Sequence, residues 1–181
     1  MTTPAARYSS VAMTLHWATA LLILANLLLG LSMVRLSLSP TKLQWYLWHK
    51  WIGITIFLLT SLRLLWRLRN PPPPPVPMPA WQHRASSLSH RALYALLFLV
   101  PLSGWIYSSA TGVQVNYLGL FPLPNLVEKD RALAAVLRAT HVTLNTALFT
   151  LVCVHAGAAL RHHFVQRDAV LRRMLPFLRP K

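Results

Sequence analysis

Apolar positions along the chain gather into four long runs, at about 15–34, 46–66, 90–110 and 140–160, separated by shorter polar, basic or proline-rich segments. Each run reaches the roughly 20 residues that an α-helix needs to cross the hydrocarbon of a bilayer. In lipid the backbone must satisfy its own hydrogen bonds, so runs of this length form helices rather than open strands. The pattern predicts an all-α, integral membrane four-helix bundle occupying 1–181 as a single domain. The first run is too long for a secretory signal core, lacks a clear small-residue cleavage site and contains His16 and Trp17, so it is read as a mature helix. Residues 70–80 form a proline-rich linker, expected to be extended and polyproline-like. Residues 161–181, "RHHFVQRDAVLRRMLPFLRPK", form a basic tail.

Composition supports the membrane reading. Charged residues make up 12% of the chain, against about a quarter in a soluble domain. The acidic residues are Glu128, Asp130 and Asp168, and the net charge is +15. Such an excess could serve nucleic acid, but here it follows helix ends and flanking segments, where attraction to anionic lipid accounts for it. With four spans, one side of the membrane receives Arg7, Arg63, Arg67, Arg69, Arg84, Arg91, Arg161, Arg167, Arg172, Arg173, Arg179 and Lys181. The other side receives Arg35, Lys42, Lys50, Lys129, Arg131 and Arg138. The bias of basic residues toward the cytoplasm then places both termini in the cytoplasm. The single cysteine, Cys153, cannot form an intrachain disulfide, and without a C-x-x-C-H motif no haem is attached covalently.

Ionisable side chains within membrane spans are costly and point to function. In this topology His16 lies near the cytoplasmic end of span one and His49 near the outer end of span two. His141 and His155 bracket span four. Fourteen residues of helix advance about 21 Å through nearly a whole number of turns, so these two share a face at two depths. His49 then matches His141 in depth on the outer side, and His16 matches His155 on the inner side. Paired imidazoles between facing helices suit bis-histidine haem iron. Zinc would call for more ligands, often cysteine or carboxylate, and no carboxylate occurs at these depths. The alternative for any one of these histidines is a simple hydrogen bond to a neighbour. Gly30 follows His16, Gly104 follows His90 and Arg63 follows His49, each by fourteen residues. The glycines leave room for a flat macrocycle or for close helix packing. Arg63 is placed to pair with a haem propionate or to reach lipid headgroups.

The motifs "LHW", "HKWIG", "LSHRALYALLFLVPLSG", "H-x13-H" and "ALRHHF" together resemble the bacterial cytochrome b561 family across nearly the whole chain. The resemblance implies a small dihaem b cytochrome of the inner membrane, with His16 and His155 as iron ligands of the cytoplasmic haem b and His49 and His141 as those of the periplasmic one. The family includes a superoxide oxidase that passes electrons from superoxide to ubiquinone, and this is the activity expected here. Related b cytochromes instead serve as electron-transfer subunits docking a dehydrogenase or hydrogenase. A four-span transporter without haem leaves the histidine pairing unexplained.

With both axial positions of each iron filled, chemistry would be outer-sphere electron transfer at a haem edge. Quinone reduction also requires protons, which histidine can supply. His162, His90 and Ser10 are therefore candidates for a quinone pocket on the cytoplasmic side, while His163 and His83 read as peripheral. Lys42, Lys50 and Arg138, with Arg35 nearby, are candidates for steering the superoxide anion on the outer side, or for pairing with propionates. The expected partners are membrane lipid, quinone, and superoxide or a redox protein, with no nucleic acid.

Overall fold

The computed structural model describes residues 7–175 and 177; Arg179 and Lys181 of the basic tail lie outside them. Four long helices account for most of the chain: α1, Ser10–Met33; α2, Pro40–Arg69; α3, Ala80–Ala110; α4, Arg131–Arg161. All are long and apolar enough to cross a membrane. Every helix but α1 runs well beyond its apolar run, because polar residues and caps continue the helix past the hydrocarbon. Ser39 accepts from the Lys42 N–H at 3.2 Å and Pro40 opens α2. Asp130 accepts from the N–H groups of Ala132 and Leu133 at 2.8 and 3.0 Å, so α4 starts nine residues before position 140. These caps satisfy amides that a helix start leaves unpaired. The proline-rich linker is non-helical between α2 and α3.

The bundle is apolar on its outside. Leu21, Leu28, Leu62, Val136, Val142 and Val154 are all exposed, as expected for a lipid-facing surface. Hydroxyls bond to carbonyls one turn back, as Thr19 does to Leu15, Thr55 to Trp51 and Thr146 to Val142. That leaves few polar groups of the spans facing lipid. Extensive backbone contacts join α1 with α2, α2 with α3 and α3 with α4. The buried core is Ile56, Leu97, Val100 and Leu148. Leu148 lies seven residues after His141 and seven before His155, so this cluster fills the middle of the bundle between the two histidine levels.

The loop after α3 folds down onto the bundle. A short hairpin pairs β1, Asn116–Tyr117, with β2, Phe121–Pro122, and turns through Leu118 and Gly119 at positive φ. Trp51 donates to the Asn116 carbonyl at 2.7 Å, and the Thr55 hydroxyl meets the Tyr117 hydroxyl at 3.0 Å. At the other end of the bundle, α4 passes into a π-helical turn, His162–Gln166, closed by Arg167 in the left-handed region.

The following segment is not a free basic tail. It returns across the start of α1: Arg7 donates to the Leu175 carbonyl at 2.7 Å, Trp17 Nε1 to the Met174 carbonyl at 2.8 Å, and the Tyr8 N–H to the Arg173 carbonyl at 3.4 Å. Arg173 itself is buried. Composition suggests solvation here, but the docking depends on backbone carbonyls and an indole, which a charge pattern does not reveal. Trp17→Phe keeps an aromatic but smaller side chain and removes one donor, worth about 1 kcal/mol. It should raise tryptic cleavage at Arg172 in detergent-solubilised protein about fivefold; an unchanged cleavage rate would show that the indole does not hold the segment.

Candidate functional site

The four histidines singled out by spacing meet in two pairs. His49 of α2 and His141 of α4 have ring centroids 6.3 Å apart with planes at 88°. His16 of α1 and His155 of α4 are also 6.3 Å apart, with planes at 69°. A metal ion between two imidazoles, about 2.0 Å from each nitrogen, gives ring separations of this order. The helices that carry each pair, α1 with α4 and α2 with α4, are not among those in extensive backbone contact. The imidazoles of each pair face one another across these helices.

At the His49–His141 level the ring orientations are fixed from behind. His49 Nδ1 donates to the Asn26 carbonyl at 3.2 Å. His141 Nδ1 lies 3.1 Å from the Val100 carbonyl and 3.0 Å from Ser103 Oγ, while the Ser103 hydroxyl itself donates to Val100 O at 2.8 Å. A hydroxyl donating elsewhere accepts from the imidazole, so His141 carries its hydrogen on Nδ1. In both residues that leaves the Nε2 lone pair for a ligand, as second-shell partners commonly arrange for metal-bound histidine. Two glycines make room for the rings. A Cβ at Gly104 would come within 2.9 Å of His141 Cε1, and one at Gly30 within 3.1 Å of His49 Cε1. The glycines thus abut the imidazoles themselves, a closer role than general clearance for a macrocycle.

Both histidines line a largely apolar cavity of about 650 Å³, together with Gly53, Gly104 and Asn145. This is within the usual range for cofactor pockets. Lys42 and Lys50 line it too, but neither is a free rim charge. Lys50 donates to Ser108 Oγ at 2.8 Å and Lys42 to the Leu36 carbonyl at 2.7 Å. Arg35 and Arg138 are exposed.

The His16–His155 level is more crowded. His90 of α3 packs on His155 with centroids 5.3 Å apart, and Trp17 lies edge-on to His16 at 5.2 Å. His16 Nδ1 is buried without a hydrogen-bond partner among the described residues, so this ring is not backed as His49 and His141 are. The Arg63 guanidinium stacks 5.4 Å from the centre of the Tyr94 ring, with that of Arg67 at 6.0 Å from the same centre. Two cations on one ring, with the acidic residues of the chain elsewhere, form a ready site for a carboxylate such as a haem propionate.

The donor set fits haem better than a bare ion. Among the described residues no group of three or more His, Cys, Asp or Glu is placed to hold a metal ion alone. Two imidazoles per site suffice only when a macrocycle supplies the remaining ligands.

The quinone candidates do not converge on one point. His90 belongs to the His16–His155 level, whereas His162 lies about 10 Å further along the helix. Ser10 is exposed at the first turn of α1, and its neighbour Ser9 caps the helix and accepts from Trp66 Nε1. His83 is exposed, while His163 has a buried, unpartnered Nδ1 and lies against Phe164. His162 instead pairs with Asp168 through Nδ1. Sequence reasoning misses Asn26, Ser103, Arg67, Tyr94 and Asp168. The last was open to notice, as one of only three acids and six residues beyond a candidate histidine.

Comparison with known proteins gives the family. Residues 7–177 match the family model described as prokaryotic cytochrome b561. Cytochrome b561 homolog 2 of Escherichia coli K12 is 35% identical over 93% of this chain and 91% of its own length. Cytochrome b561 homolog 1 of the same organism is 33% identical over 94% and 97%. A protein of Yersinia pestis named probable superoxide oxidase CybB is 31% identical over 94% and 96%. With its four membrane helices and two facing histidine pairs, the chain belongs to the prokaryotic cytochrome b561 family, the electron-transfer cytochromes of bacterial membranes.

Proposed function

We propose that this cytochrome binds two haem b groups, one at each histidine pair, and passes electrons from superoxide on the periplasmic side to ubiquinone on the cytoplasmic side. The matched 6.3 Å separations carry the two-haem reading. Resemblance to the Yersinia pestis protein supports superoxide as donor. Haem held at these imidazoles would supply one-electron transfer. The residues do the rest. Asn26 and Ser103 hold His49 and His141 in one tautomer. Arg63 and Arg67, which lie together against Tyr94, would hold the propionates of a haem at the His16–His155 pair. Lys42, Lys50 and Arg138 attract the anionic donor toward the His49–His141 end. His162 handles protons for quinone at the opposite end.

Each superoxide yields one electron and becomes dioxygen, and ubiquinone takes two electrons and two protons to become ubiquinol. The competing reading, an electron-transfer subunit docked to a dehydrogenase or hydrogenase, draws on one observation. The hairpin presents Leu120 and Phe121 to the outside, 72% and 60% exposed.

Anaerobic stopped-flow mixing separates the two. Superoxide should reduce the oxidised protein rapidly. Combined charge reversal at Lys42 and the exposed Arg138 should slow that step, and the loss of the Arg138 charge should flatten its salt dependence, because screening acts on attraction by exposed charges. His162→Ala should leave reduction by superoxide intact and slow reoxidation by ubiquinone. Reduction by superoxide that is slow in the wild type, or indifferent to charge reversal and salt, would favour the docking subunit.

Orientation has its own check. Alkaline phosphatase fused after Thr111 should be active and a C-terminal fusion inactive, given the twelve-to-six division of basic residues. The reverse pattern would exchange the sides assigned to donor and acceptor.

A further inference from the structure

Beyond the last turn of α4 the chain departs from regular helix in a way that serves one side chain. The π-helical turn His162–Gln166 ends at Arg167, whose positive φ of 56° reverses the backbone. The N–H groups of both Arg167 and Asp168 then return to the His162 carbonyl, the latter at 3.2 Å. This brings the Asp168 carboxylate onto the imidazole, with Oδ2 accepting from His162 Nδ1. The other oxygen, Oδ1, accepts from the Val170 N–H at 2.9 Å. Each carboxylate oxygen therefore has a fixed partner. The pair is partly covered, with side-chain exposures of 15% for His162 and 23% for Asp168. π-turns within helices recur at functional sites, and this one sets one of three acids in the chain against a histidine seven residues past His155.

We propose that Asp168 is the positioning residue of a proton-transfer dyad, holding His162 with its hydrogen on Nδ1 so that Nε2 alone exchanges protons with ubiquinone. This rests on the quinone reading of His162. With Nδ1–H committed to the carboxylate, protonated His162 gives its Nε2 proton to the quinone oxygen facing it. It is left in the neutral Nδ1–H form, which regains a proton at Nε2 from water without turning its ring. Per ubiquinone reduced, two electrons come from two superoxide ions oxidised to dioxygen. One proton comes through His162, and the second reaches the other quinone oxygen from water. An aspartate beside a catalytic histidine fixes the tautomer in the same sense in other proton-transfer sites.

The bond to Val170 makes the role testable. In Asp168→Asn the side-chain oxygen stays on the Val170 N–H, so the amide NH₂ faces His162 Nδ1. It can only donate there, which forces the hydrogen to Nε2. The variant keeps shape and cap but inverts the tautomer. Asp168→Ser, which retains an acceptor for Val170, removes the carboxylate without imposing that inversion.

Single-turnover reoxidation of the reduced protein by a soluble ubiquinone analogue should fall at least about tenfold in His162→Gln and in Asp168→Asn, and by a smaller factor in Asp168→Ser. Haem content, absorption spectrum and reduction by superoxide should stay unchanged in all three. The solvent deuterium isotope effect on reoxidation should rise in Asp168→Asn, because proton transfer becomes limiting. In the His162→Gln background, Asp168→Asn should produce no further loss, since its effect acts through the imidazole. A further loss in that background, or a wild-type rate in Asp168→Asn alone, overturns the dyad while leaving the quinone site standing. A wild-type rate in His162→Gln overturns the quinone reading itself.

Discussion

An imidazole buried in an apolar bundle is tolerable only when both of its nitrogens are engaged, and this constraint organises the molecule. At one level it is half met by the protein: Nδ1 of His49 and of His141 is given to a backbone carbonyl, and Nε2 is left for an external partner. At the other, the unpartnered Nδ1 of His16 makes the same demand more openly. α4 contributes a histidine to both levels, and its place beside α2 is set by packing on α3 and by the central cluster that α2, α3 and α4 share. The central cluster of Ile56, Leu97, Val100 and Leu148 is the permanent core that keeps the two levels apart.

Charge is distributed by the same economy of partners. The chain has eighteen basic residues and three acids, and two of those acids have defined local duties. Asp130 caps α4, which fixes the register of His141 and His155, and Asp168 holds His162. Arg63 and Arg67 both lie against the Tyr94 ring, and among the described residues neither forms an ion pair with an acid. Lys50 reaches inward to Ser108 instead of outward to water, which ties one cation to the cavity wall.

Much of this was legible in the sequence because hydrophobic run length and helical periodicity are strong, local signals. The four spans and the depth pairing of His16 with His155 and His49 with His141 follow from them directly. Helix ends were less legible, since Asp130 and Ser39 extend helices through polar residues that a hydrophobicity criterion discards. The supports of the histidines were hidden for a different reason. The acceptors at Asn26 and Val100 are backbone carbonyls, which every residue carries, and only the fold chooses among them. The docking of residues 168–175 and the closure of Asp168 onto His162 depend on a left-handed turn at Arg167, a conformation that arginine rarely signals.

The central claim is that each histidine pair holds one haem b, and pyridine haemochrome titration of the purified wild-type protein against quantified chain tests it most directly. The account predicts two haems per chain, low-spin in the oxidised state. It also predicts one haem per chain in His49→Ala or His141→Ala and in His16→Ala or His155→Ala, the two sets losing spectrally different haems. One haem or none in well-folded wild type, or the same haem lost from both sets of variants, would contradict it.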